Sequence, residues 1–116
     1  MPVTLGVWKI IDDQTIAFGT AYTCEPVEMG TASALALHVT SVAGTLPDVT
    51  FTYSLSNTKD GTYVTPNAPV TIGANVANDD VLDFAPELAR YIKIIATNNS
   101  GANAVTLTAS LAIQEG

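Results

Sequence analysis

The chain has 116 residues, 47% hydrophobic and 13% charged, with a net charge of −7 from 11 acids against 4 bases. That length suits one domain with its own core, and that apolar content excludes a disordered chain. The bases are Lys9, Lys59, Arg90 and Lys93, too few for direct nucleic-acid binding, which needs clustered Lys and Arg.

Thr, Val and Ile make up 35 of the 116 residues, a strand-forming composition. The first predicted strand is Thr4–Ile11, in which Val7, Trp8, Ile10 and Ile11 are apolar almost continuously. A run apolar on both sides wants cover on both sides. Either it lies against a partner subunit or exchanges between protomers, or it is a central strand of its own sheet. Asp12-Asp13-Gln14 separates it from a second strand over Thr15–Thr23. Leu35, Leu37 and Val39 form the inward face of a third, opposed by Ala36, His38 and Thr40. A turn from Gly44 to Pro47 precedes the clearest alternation, Val49–Ser56, with hydroxyls opposing the apolar positions. Lys59-Asp60-Gly61 is a hairpin-type turn with Gly61 available for positive φ. Tyr63–Val64, Val70–Ile72 and Val81–Phe84 are shorter strands, and Pro86-Glu87-Leu88-Ala89 suits one helical turn. Tyr91–Thr97 turns Ile92, Ile94 and Ala96 inward. Asn98 to Asn103 is a polar loop, read as a hairpin into the last strand. There Val105, Leu107, Ala109, Leu111 and Ile113 share one face.

About eight short strands at regular spacing predict an all-β fold, an antiparallel β-sandwich or jelly roll. Its inward set should include Phe51, Tyr53, Leu55, Ile92, Ile94, Leu107 and Leu111. The chain reads as one domain. Residues 1–24 form N-terminal strands that serve as a partner-contacting arm, and residues 25–116 form the sandwich body.

Catalytic chemistry finds little support. His38 is the only histidine, lies on an outward face, and has no nucleophile signature near it. Asp79, Asp80 and Asp83 are the densest carboxylate cluster, yet they lack a Ca²⁺-loop spacing. Cys24 has no nearby base to lower its pKa and reads as a buried free thiol. Trp8 and Tyr22 could belong to a sugar-stacking surface, but Trp8 alternates in an apolar strand and reads better as core or interface. Asn98-Asn99-Ser100 has the form of a glycosylation sequon, which the loop chemistry explains equally well. No catalytic residue, cofactor or metal is expected. No apolar run approaches the roughly 18 residues of a membrane helix, and the start MPVTLGVWKI lacks the basic region and cleavage site of a secretory signal.

Three stretches carry a resemblance. Ser54 to Val64, with Asp60-Gly61 and Tyr63, resembles the S-x-D-G-x-[WY] hairpin of small β-sandwich virion proteins of tailed bacteriophages. Ala89-Arg90-Tyr91-Ile92-Lys93-Ile94, followed by Ala96-Thr97-Asn98, resembles the strand that follows that hairpin. Glu25 to Leu37, with Pro26, Val27, Met29-Gly30 and Leu35, fits the entry into the same sandwiches. The resemblance runs from Glu25 to Ile113. The same hairpin and strand occur in discoidin-like carbohydrate- and lipid-binding sandwiches, which are usually longer and richer in exposed aromatics. The phage resemblance implies a non-enzymatic capsid decoration, or cement, protein on the virion surface, made in the bacterial host cytoplasm. Its partners would be the major capsid protein or other virion proteins, with a homotrimer favoured and neither nucleic acid nor membrane bound. A tail, neck or head-fibre component is the nearest variant, and a carbohydrate-binding surface module is the alternative. Val7, Trp8, Ile10 and Ile11 are the candidate partner interface. Deleting Met1–Ile11 should then leave a folded sandwich that no longer binds its shell.

Overall fold

Period-two alternation becomes strand after strand in a computed structural model, which describes residues 4–29, 32–41, 49–66, 73–74, 80–84, 89–99, 101 and 103–115. Nine strands and no helix occur among these residues. They are β1 (Thr4–Ile16), β2 (Ala21–Thr23), β3 (Val27–Glu28), β4 (Ala32–Ser41), β5 (Val49–Ser56), β6 (Gly73–Ala74), β7 (Asp80–Phe84), β8 (Tyr91–Asn98) and β9 (Val105–Glu115). One sheet runs β1-β9-β4-β7, and the other β2-β8-β5-β6. Every pairing is antiparallel. Both β2 and β3 pair with β8, at Ile95–Thr97 and at Tyr91–Ile92, so they are two pieces of one interrupted strand. Read in the same direction, the two orders set β1 beside β2, β9 beside β8, β4 beside β5 and β7 beside β6. That nesting is the strand order of an eight-stranded jelly roll.

The inner faces match the alternation. Val49, Phe51, Tyr53, Ile92, Ile94, Ala96, Leu107, Leu111 and Ile113 are buried, and Leu55 packs half-buried against them. The Tyr53 and Phe84 rings, 5.7 Å apart, join the two sheets near their β5 and β7 side. The predicted segments at Gly44–Pro47, Val70–Ile72 and Pro86–Leu88 lie outside the described residues.

Four expectations are corrected. The Asp12-Asp13-Gln14 break does not divide two strands, because β1 runs on to Ile16. Two β-bulges absorb the polar residues. The pairing with β9 slips by one residue between Lys9 and Ile11 and again between Ile11 and Gln14. Strict alternation from Trp8 would aim Asp12 at the core. The first slip puts Ile11 inward instead, 1% exposed, and the second restores the phase so that Ile16 is buried too. Asp13 takes φ of 50°, which Asp tolerates, and its N–H donates to Thr108 Oγ1 at 2.9 Å. The same slip explains why apolar Ile10 and Ile11 are adjacent. The second correction concerns position: β1 is not a central strand of its sheet but stands at the end of the strand order, paired along its length with β9.

Third, the loop after β8 is not a hairpin, since β8 and β9 belong to different sheets. Asn98, 1% exposed, donates its amide to the carbonyls of Ile16 at 3.0 Å and Asn103 at 2.9 Å. Fourth, Gly61 does not take positive φ. A Cβ there would meet the Thr58 hydroxyl, which a side chain at 61 would have to displace. Past this turn Val64 pairs back onto Leu55.

Candidate functional site

The predicted interface residues divide by position. Ile11 belongs to the core and is closed to a partner, and Ile10 is half-buried against that core. Val7 is 64% exposed and Trp8 is 43% exposed. Trp8 pairs with Leu111 and therefore shares the inner face, at its open margin, where the indole lies folded over Gly6. Val7 pairs with Ala112 and projects from the opposite face. The two side chains thus flank one free strand edge. Among the described residues no strand pairs with the backbone donors and acceptors along that edge. Its bulged half is guarded by the two register slips and by the Lys9–Asp12 ion pair at 3.7 Å. The half from Thr4 to Trp8 keeps its register with β9 and carries no charged residue.

The other candidates remain apart. His38 is exposed on the outer face of the first sheet, opposite Ser110 and Val81. Asp83 is exposed on the same face, while Asp79 lies outside the described residues. Among the described residues no three His, Cys, Asp or Glu side chains gather as a metal site would require. Tyr22 is half-buried against the core on β2, in the other sheet from Trp8.

Cys24 has a structural task. The strand facing β8 breaks at Cys24-Glu25-Pro26, where Pro26 has no N–H to offer. The Cys24 N–H still donates to Ile94 O at 3.0 Å, and the Cys24 sulfur accepts the Ile94 N–H at 3.2 Å. Burial pushes the thiol above its ordinary range. Native protein is therefore expected to resist thiol-specific alkylation until denaturant unfolds it. Prompt labelling of the folded chain would show the thiol accessible. The unfolded chain gives up this proton first. Stability is thus unaffected by Cys24 below the ordinary thiol range and falls as pH rises through it.

Two exposed features escaped the sequence. Phe18, 54% exposed, sits at the tip of the β1–β2 turn. The turn is braced by bonds from Thr20 N to Ala17 O, Gly19 N to Asn98 O and Asn98 N to Thr20 O. On the outer face of the second sheet, Lys93 Nζ lies 4.2 Å from the centre of the Tyr63 ring, with Tyr91 two residues along the same strand face. Lysine and tyrosine 30 residues apart give no periodic signal. Only the return of Val64 onto Leu55 brings them together.

No protein-family model matches the chain, and no curated protein matches it in sequence. Solved structures share its architecture. The infectious bursal disease virus VP2 subviral particle matches with a TM-score of 0.60 at 13% identity, over 97% of this chain and 32% of that one. The infectious bursal disease virus Gt strain matches at 0.53 and 18% identity, with the same coverage. FLHE matches at 0.53 and 10% identity, over 96% of each chain. The likeness is one of fold. The chain spans about a third of the length of the virus chains it matches.

Proposed function

We propose that this chain is a non-enzymatic structural protein of a virus particle, a capsid decoration protein of the tailed-phage kind. It binds the assembled shell and stabilises it by mass action, since whatever binds the intact state alone shifts the equilibrium toward it. The observation that carries the reading is the open half of β1, with Val7 and Trp8 on either side of it. A partner that touches both must approach edge-on, as an added strand does. Main-chain bonds then supply affinity, and the flanking side chains supply choice. The jelly-roll order and the likeness to virus-particle chains support the setting. The homotrimer and a tail, neck or head-fibre position belong to the same proposal as its variants.

Val7→Asp and Trp8→Ala test it. Val7 is mostly solvated, so the aspartate should leave the melting temperature of the free protein within the scatter of surface changes, about 0.5 kcal/mol. It should still lower occupancy on particles. Trp8→Ala removes an aromatic anchor and is expected to weaken binding by roughly 2 kcal/mol or more. Unchanged occupancy of both variants would place the interface elsewhere.

A further inference from the structure

We infer that the outer face of the second sheet holds a binding site for a short acidic saccharide, built on Tyr63, Tyr91 and Lys93. Three of the four bases of the chain, Lys59, Arg90 and Lys93, come to this end of the fold. Tyr63 is pinned from two sides. Its hydroxyl donates to the Lys59 carbonyl at 2.8 Å, and Lys93 Nζ stands over its ring at 4.2 Å. Tyr91 follows on the same face of β8, with the Arg90 guanidinium 6.0 Å from its ring centre. Opposite Lys93 and Tyr91 in the ladder lie Ser54 and Ser56, buried although they point away from the core. The result is two half-exposed tyrosines on one face, with the Lys93 ammonium over the Tyr63 ring and the Arg90 guanidinium near the Tyr91 ring.

That chemistry selects its occupant. Sugar rings stack their C–H faces on tyrosine, and their hydroxyls and carboxylate accept from ammonium and guanidinium donors. The acids nearby are Glu28 and Asp60, with Glu25 beyond the strand break. Glu28 is held by Arg90 only at 3.6 Å and in the open, a pairing worth little, so Arg90 can turn to a ligand carboxylate. With a net charge of −7 on the whole chain, a long polyanion is repelled while one carboxylate meets the local bases. The pinned Tyr63 needs no ordering on binding. The site stands apart from the β1 edge and does not depend on what β1 binds.

The test is an amide chemical-shift titration of the full chain with trigalacturonate, and in parallel with the neutral trisaccharide cellotriose. Trigalacturonate should move the resonances of Tyr63, Tyr91 and Lys93 with a millimolar dissociation constant. Lys93→Met keeps the aliphatic stem and should weaken binding about tenfold, as loss of one charge-assisted contact does. Tyr91→Ala should abolish it, and Trp8→Ala should leave it unchanged. An unchanged spectrum on adding trigalacturonate, equal binding of cellotriose, or full affinity in Lys93→Met would each overturn the assignment. Unfolding of Tyr91→Ala, seen in its spectrum, leaves the decision to Lys93→Met.

Discussion

Removing residues 1–11 is expected to leave a chain without a cooperative thermal transition. The deletion strips the paired positions Thr4 to Lys9 from β9 and takes out Ile11, a core residue. Loss of a buried isoleucine alone costs about 2–5 kcal/mol. Leu111 and Ile113, 0% and 1% exposed, would then lie at a new open edge, and each contributes roughly 1.5–3 kcal/mol by its burial. Together these losses rival the whole stability of a small domain, about 5–15 kcal/mol. Circular dichroism on heating reads the result. A truncated chain that still melts sharply near the parent temperature would show β1 to be the dispensable arm that its apolar run first implied. Partner binding by β1 therefore has to be probed by point changes at Val7 and Trp8.

Asn98→Ala is expected to destabilise the fold by about 1–3 kcal/mol, because it takes from the buried Ile16 carbonyl the donor that Asn98 supplies and removes a second bond, to the carbonyl of exposed Asn103. The change loosens the end of β1, the approach to β9 at Asn103 and the turn that presents Phe18, all at once. Asn99→Ala, one residue on and exposed, removes a bond to Thr50 Oγ1 at solvent and should change stability by less than about 0.5 kcal/mol. Asn98→Asp sharpens the case. It sets a carboxylate against two carbonyl oxygens, so the variant should resist urea better in acid, where it is protonated, than at neutral pH. Equal urea midpoints for Asn98→Ala and the parent would remove Asn98 as the clamp.

The core was legible in the sequence because one face of each long strand is buried and a period of two reports that directly. Phe51, Ile94 and Leu107 announce their faces by their neighbours Thr52, Lys93 and Thr108. What escaped was every place where the phase changes. The bulges of β1 move Ile11 inward and Asp12 outward, and no local pattern distinguishes that from a turn. The buried Asn98 looked like loop chemistry, since its partners are 82 and 5 residues away. The interface was half legible. Alternation identified an apolar strand, but only pairing with β9 tells Val7 and Trp8 at the edge from Ile10 and Ile11 against the core. Tyr63 and Lys93 were visible inside the segments that resemble phage sandwiches, though nothing in the chain said that they meet.

The central claim is a structural place on a virus shell, and cryo-electron microscopy of native particles that carry this chain tests it most directly. The account predicts density for the jelly roll at many equivalent positions on the head, with the Thr4–Trp8 edge and the indole of Trp8 turned against the shell. Particles without the chain on the head, or with β1 facing solvent while another face makes the contact, would contradict it.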